Sequence, residues 1–307
     1  MTINSLMKAV LKALSYSELN IKKNYKIKRQ LEQLKAASVP GALPYKTWDH
    51  LVPRDGYNVP VRIFTVPGSR PCSILLFFHG GGWVTGNIDS YNKVCAYMSR
   101  NTRHLVVSVD YRLAPEHPFP VGLEDCYAAA REVYKEQRLL DCSREGITLI
   151  GDSAGANLAA AVSLMARDRG EFLPERQILI YPATAGYHDE KSPFPSIREN
   201  GTDYLLTAKR ISDYMDLYAA RPEDRRSPYF APLLARDFSR QPRTLIITAE
   251  YDPLRDEGEA YGEMLARSGV ETEIRRIPDA LHGFFSLPPS FAPVKMTYEY
   301  INRFLKR

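Results

Sequence analysis

A mostly parallel α/β sheet covered by helices on both faces is the fold this sequence predicts, and three observations predict it. Short continuous apolar runs recur at Ser73–His79, Arg103–Asp110, Ile147–Ile150, Gln177–Tyr181 and Thr244–Thr248. Such runs suit strands buried on both faces, not the alternating strands of a half-exposed sheet. Helical patterns lie between them, so strand and helix alternate as in βαβ units. A chain of 307 residues, 44% of them hydrophobic, is long enough for one large core with an elaboration.

Taken in order, residues 1–36 are helical in pattern. Met7, Val10, Leu11 and Leu14 form one apolar stripe and Ile27, Leu31 and Leu34 another, and each stripe is expected to lie on a partner surface. Ser15 with Glu18 suits a capping box, and Val39–Pro44 breaks the pattern as a linker. Thr47–Val52 and Val59–Val66 read as strands joined across an Asp-Gly turn at Asp55-Gly56. After the buried strands at 73–79 and 103–110, Val121–Leu140 reads as a helix. The strand at Ile147–Ile150 leads into a helix over residues 154–167, and Glu271–Ile277 is a last strand. The interval between Tyr181 and Thr244 is too long for an ordinary connection and should carry structure of its own. Within it Leu205–Ala219 is an amphipathic helix, whereas Tyr187–Asn200 is polar and broken by prolines. These breaks divide the chain into N-terminal cap helices (1–45), a first part of the core (46–183), an inserted cap segment (184–225) and a second part of the core (226–307).

Charge and cysteine usage narrow the function classes. The net charge is +5. Residues 1–40 hold eight basic side chains against two acidic ones, which is +6 and leaves −1 for the rest. The basic arm lacks the aromatic interleaving of a single-strand binder and any DNA-reading motif, so a solvated helix face is expected and nucleic acid is not. No apolar run approaches the roughly 20 residues that cross a bilayer, so stable membrane insertion is not expected and the cytoplasm is the expected location. Cys72, Cys95, Cys126 and Cys142 are widely spaced without a C-x-x-C, which favours reduced thiols.

The chemistry gathers around Gly151-Asp-Ser-Ala-Gly155, a G-x-S-x-G set between a buried strand and a helix. There Ser153 would sit on a sharp turn with its hydroxyl clear of both elements, and the following helix N-terminus would favour a developing oxyanion. A serine needs a base and charge-stabilising donors. His79-Gly-Gly-Gly-Trp83 follows a buried strand, and the backbone N–H groups of Gly81, Gly82 and Ala154 can form a three-donor oxyanion hole. His79 itself is expected to hold this loop in shape. In chain order the acid and then the base should follow the serine. His282 lies after the last strand, whereas His188 lies in the proline-broken insertion and is expected to be exposed. For the acid, Asp252 precedes a proline that keeps it nonhelical, while Asp256 at the start of the next helix is explained by capping.

His79-Gly-Gly-Gly-Trp83, Asp110-Tyr-Arg-Leu-Ala-Pro-Glu-His-Pro-Phe-Pro120, Gly151-Asp-Ser-Ala-Gly155, Asp252-Pro-Leu-Arg-Asp-Glu257 and His282-Gly-Phe284 together resemble the hormone-sensitive-lipase-like esterases, the bacterial family IV branch of the α/β hydrolases. The resemblance spans about residues 70–285. It implies an α/β-hydrolase fold with a helical cap, and Ser153, Asp252 and His282 as the triad. It also implies Gly81, Gly82 and Ala154 as the oxyanion hole, and Asp110, Arg112 and Glu116 as structural support. The cap would be formed by the N-terminal helices and the insertion.

The expected function is hydrolysis of a small-molecule carboxylic ester, with short acyl chains preferred, through an acyl-enzyme. No metal or organic cofactor is expected, and a homo-oligomer is compatible with the sequence. An amidase or a deacetylase of acylated sugars would use the same machinery. A lipase acting at lipid interfaces is a further rival, suggested by the basic helices. A noncatalytic ligand receptor on this fold would lack a triad residue, and both Ser153 and His282 are here.

Overall fold

The computed structural model describes residues 12, 20–37, 45–54, 56–66, 73–136, 146–189 and 191–306. The apolar stripe Met7–Leu14, the Ser15–Glu18 capping box, the 39–44 linker, Cys72 and Cys142 lie outside them. Eight strands form one sheet: β1 Lys46–Arg54, β2 Tyr57–Thr65, β3 Ile74–Phe78, β4 Leu105–Val109, β5 Ile147–Asp152, β6 Arg176–Ile180, β7 Arg243–Tyr251 and β8 Thr272–Leu281. Their order is β1-β2-β4-β3-β5-β6-β7-β8. β1 and β2 run antiparallel to their neighbours, and β4 through β8 pair in parallel.

The helices among the described residues are α1 Ile21–Ala37, α2 Asn92–Thr102, α3 Val121–Lys135, α4 Ala154–Arg169, α5 Pro195–Asn200, α6 Ala208–Tyr218, α7 Arg255–Arg267 and α8 Ala292–Leu305. They cover both faces of the sheet, which is why the central strands are continuously apolar. In β3, Ile74, Leu76 and Phe78 face the core under α3 and α4, whereas Leu75 and Phe77 face the core under α2 and α8. All five are fully buried, and burying one such side chain contributes about 1.5–3 kcal/mol. The alanine run of α4 brings that helix close to the strands. At Gly155 in its first turn a Cβ would stand 2.0 Å from the Phe78 carbonyl oxygen.

Several elements differ from expectation. α2 and α8 occupy segments left unassigned in sequence. The inward face of α2 is Cys95, Ala96, Met98 and Ser99, a weak apolar signal, whereas α8 carries a readable one in Val294, Tyr298, Ile301 and Phe304. The segment 187–200 ends in the short helix α5 despite its prolines, because Pro195 stands at a helix start, where no N–H is needed.

The expected docking face of α1 is overturned: Ile27, Leu31 and Leu34 are 47%, 47% and 66% exposed. The face turned inward carries Ile21, Tyr25, Lys28, Arg29 and Glu32 instead. Arg29 donates to the Val84 and Ala114 carbonyl oxygens, both at 2.7 Å, and pairs with Glu116. Lys22 pairs with Asp216, and Lys28 donates to the Tyr214 hydroxyl at 2.9 Å. Part of the basic arm is thus a docking surface for α6 and the loops after β3 and β4, not a solvated face. Polar contacts with fixed backbone acceptors outweighed the hydrophobic stripe.

Candidate active site

Gly80, Ser153, Asp252 and His282 each follow the C-terminal end of a parallel strand, β3, β5, β7 and β8 respectively, where such sheets gather their sites. β5 ends and α4 begins with one residue between them, so Ser153 is forced to φ 54°, ψ −119°. That left-handed conformation is strained for a residue with a side chain, and such strain collects at functional turns. The turn closes only because Gly151 has no Cβ, which would meet the Gly155 backbone at 2.4 Å.

Three of the predicted side chains meet in series. The Ser153 hydroxyl donates to His282 Nε2 at 2.8 Å. His282 Nδ1–H donates to Asp252 Oδ2 at 2.7 Å, and the carboxylate fixes that tautomer because it can only accept. Asp252 is fully buried, and its other oxygen accepts the Leu254 N–H at 2.8 Å. The alternative acid, Asp256, faces away. It accepts the Ser196 N–H at 2.7 Å and pairs with Arg255, which ties α5 to α7.

Gly81 and Gly82 hold φ values of 118° and 61°, and a Cβ on them would meet the Thr85 carbonyl and the Tyr214 ring. Glycine is therefore required for this loop to reverse beneath α6. The N–H groups of Gly81, Gly82 and Ala154 make no hydrogen bond to a described residue, and all three residues line the cavity that holds Ser153 and His282. His79 is fully buried, stacks on Tyr111 at 4.3 Å and lies with Nδ1 2.8 Å from the Gly80 carbonyl oxygen. Burial pushes its pKa down to about 4, so it is a neutral wedge at neutral pH. Asp110 accepts the Ile88 N–H, Arg112 pairs with Asp125, and Glu116 with Arg29. All three brace surrounding loops.

The expectation for His188 is overturned. It is 2% exposed, with Nε2 2.5 Å from Glu257 Oε2. Glu257 also accepts the Thr184 and Ala185 N–H groups at 2.6 and 3.1 Å. A histidine in a polar segment is buried here because a carboxylate on α7 waits beneath it, and no local pattern reveals that. Sequence reasoning also passed over Asp152, Tyr91 and Tyr181, which surround Ser153 from below, and Lys28, Arg210 and Tyr214, which wall the cavity. For Asp152, Tyr91, Tyr181, Lys28 and Tyr214 the bonding partners lie far away in the chain.

The cavity holds about 230 Å³. Its roof is Leu205, Leu206, Ile211 and Tyr214 from the insertion, with Lys28 from α1. No group of side chains able to hold a metal ion occurs among the described residues. No described helix is long and apolar enough to cross a membrane.

A sharp serine turn at the tip of a central strand, on a parallel sheet with two antiparallel strands at one edge, defines the class as an α/β hydrolase. The family model described by the alpha/beta hydrolase fold matches residues 75–286. This chain belongs to that family and, within it, to the hormone-sensitive-lipase-like esterases whose motifs it carries. It is 35% identical to an arylesterase of Saccharolobus solfataricus, over 85% of this chain and 84% of the relative. It is 34% identical to an ethyl acetate hydrolase of Pseudomonas putida, over 77% and 74%. The structure of a hyperthermophilic esterase from Pyrobaculum calidifontis superposes with a TM-score of 0.85 at 34% identity, covering 100% of this chain and 98% of that one.

Proposed function

We propose that this carboxylic ester hydrolase works through Ser153, His282 and Asp252 by an acyl-enzyme. Ser153 Oγ attacks the ester carbonyl carbon while His282 Nε2 takes its proton. The oxyanion is held by the N–H groups of Gly81, Gly82 and Ala154, and Asp252 stabilises the imidazolium. As the C–O bond breaks, His282 gives the proton to the leaving alcohol. It then draws a proton from water as the water oxygen attacks the acyl carbon; the bond from that carbon to Oγ breaks, the carboxylic acid leaves, and His282 returns the proton to Ser153 Oγ. The carrying observation is the unbroken relay of 2.8 and 2.7 Å opening onto three N–H donors that have no partner among the described residues.

The insertion 184–225 and α1 act as the cap that closes the cavity. Its volume of about 230 Å³ falls below the roughly 300–1,000 Å³ of pockets that hold drug-sized ligands. This supports short acyl chains, as does the likeness to an ethyl acetate hydrolase. The test is a series of p-nitrophenyl esters from acetyl to palmitoyl with the wild type and Ser153→Ala. Rates should peak at acetyl to butyryl and vanish in the variant. A Ser153→Ala protein with wild-type rates refutes the nucleophile, and a maximum at palmitoyl refutes the substrate class.

A further inference from the structure

Asp152 precedes Ser153, is 3% exposed and takes no part in the steps above. Its Oδ1 accepts the Gly80 N–H at 2.9 Å. Its Oδ2 accepts the Tyr91 hydroxyl at 3.1 Å and the Tyr181 hydroxyl at 3.4 Å. The Gly80 N–H also faces the Tyr91 hydroxyl at 3.2 Å. These partners come from three separate parts of the fold. Gly80 opens the loop that carries Gly81 and Gly82, Tyr91 lies just before α2, and Tyr181 follows β6 with φ 38°. Tyr181 then reaches the histidine loop. Its ring centroid is 4.7 Å from that of His282, and its hydroxyl accepts the Phe285 N–H at 3.3 Å.

One buried carboxylate therefore links the donor loop on one side of Ser153 to the base on the other. Packing alone does not call for it, since a buried charge costs stability that an apolar side chain would not. Building on the hydrolase reading above, we propose that Asp152 is a positioning residue. It aims the Gly81 and Gly82 N–H groups through Gly80 and seats the His282 imidazole through Tyr181, so that the oxyanion hole and the base are aligned together.

The groups facing it are Tyr91 from the start of α2, Tyr181 from the end of β6 and His282 from the loop after β8. Cys95 on α2 and Tyr111 after β4 feel its charge at longer range. Burial raises the Asp152 pKa to about 6, with the bonds from Tyr91 and Gly80 opposing that rise. Ionised, it accepts from all three donors; protonated, it must turn one contact into a donation.

Three variants test the proposal. Asp152→Asn keeps an acceptor for Gly80 but loses the charge, Asp152→Ala loses both, and Tyr181→Phe cuts only the branch to the histidine loop. On p-nitrophenyl acetate, kcat should fall ~10-fold for Asp152→Asn and Tyr181→Phe, and ~100-fold or more for Asp152→Ala, the size of a lost oxyanion donor. KM should stay within about twofold, because the effect falls on the transition state. Below pH 6 the logarithm of kcat/KM should fall more steeply for the wild type than for Asp152→Asn, by one unit per pH unit, since Asp152 must be deprotonated.

A folded Asp152→Ala with kcat within twofold of wild type overturns the proposal, and so does an unchanged acid slope in Asp152→Asn. Should Asp152→Ala fail to fold, the asparagine slope decides. Ser153→Ala separates the two levels. Retained activity there sinks the Ser153 mechanism, whereas its loss beside unaffected Asp152 variants sinks only this inference.

Discussion

Replacing Asp252 by asparagine exchanges one carboxylate oxygen for an NH₂ group and should silence the base without disturbing the fold. The carboxylate has two different neighbours: Oδ1 accepts the Leu254 N–H at 2.8 Å, and Oδ2 accepts His282 Nδ1–H at 2.7 Å. An amide must keep its oxygen towards the Leu254 N–H, because an NH₂ there would face another donor in a fully buried pocket. The NH₂ is therefore left facing His282. Nδ1 becomes an acceptor, the proton moves to Nε2, and Ser153 loses its base. A wrong-tautomer histidine of this kind costs about ten-thousandfold in kcat, or ~5.5 kcal/mol of barrier. Asp256→Asn is the control. It weakens only the partly exposed bridge to Arg255 and the bond to Ser196, so activity should stay within about threefold and stability fall by ~1 kcal/mol. The assay is kcat on p-nitrophenyl acetate, with thermal melts to show that both proteins fold. Asp252→Asn retaining more than a tenth of wild-type kcat, or Asp256→Asn losing more than it does, would refute the reasoning.

Other consequences can be checked alongside it. Gly82→Ala should lower kcat ~100-fold, since its φ is 61° and its Cβ would stand 2.5 Å from the Tyr214 ring; a fully active variant would show that the loop is not held in this shape. The raised pKa of Asp152 also makes stability depend on pH. In the folded state it binds a proton up to about pH 6, against an ordinary 3.8, so its own contribution to stability is fully present below 3.8 and is lost, by ~3 kcal/mol, as pH rises from there through 6. In urea titrations Asp152→Asn should therefore gain on the wild type between pH 4 and pH 7, and a constant difference would contradict the sign. Glu257→Ala leaves the Thr184 and Ala185 N–H groups and His188 without their acceptor in a buried site, a loss of ~3–5 kcal/mol. A change below 1 kcal/mol in the same titration would show that Glu257 does not clamp the insertion to α7.

How much of this was legible in the sequence follows from how far each signal reaches along the chain. The buried strands could be read because burial on both faces demands apolar residues at successive positions, and β3 is Ile-Leu-Leu-Phe-Phe. The sharp turn at Ser153, the glycine loop after β3 and the place of His282 beyond the last strand could be read because strand ends and sharp turns impose local residue types. Asp252 could be separated from Asp256 because a following proline and a helix start are both local features.

What lay outside the sequence shares one physical cause: the deciding partner is distant in the chain. His188 reads as exposed until the tertiary fold sets Glu257 against it. The stripe Ile27, Leu31 and Leu34 reads as the buried face of α1 until Val84 and Ala114 offer fixed carbonyls to Arg29 on another face. Asp152 reads as a spacer between glycine and serine until Gly80, Tyr91 and Tyr181 close around it. The sequence by itself therefore determined the sheet and the order of serine, aspartate and histidine, since these rest on periodicity and turn chemistry. Only the tertiary structure decided how the site is braced and roofed, because hydrogen bonds and cavity walls are made between residues that no local pattern connects.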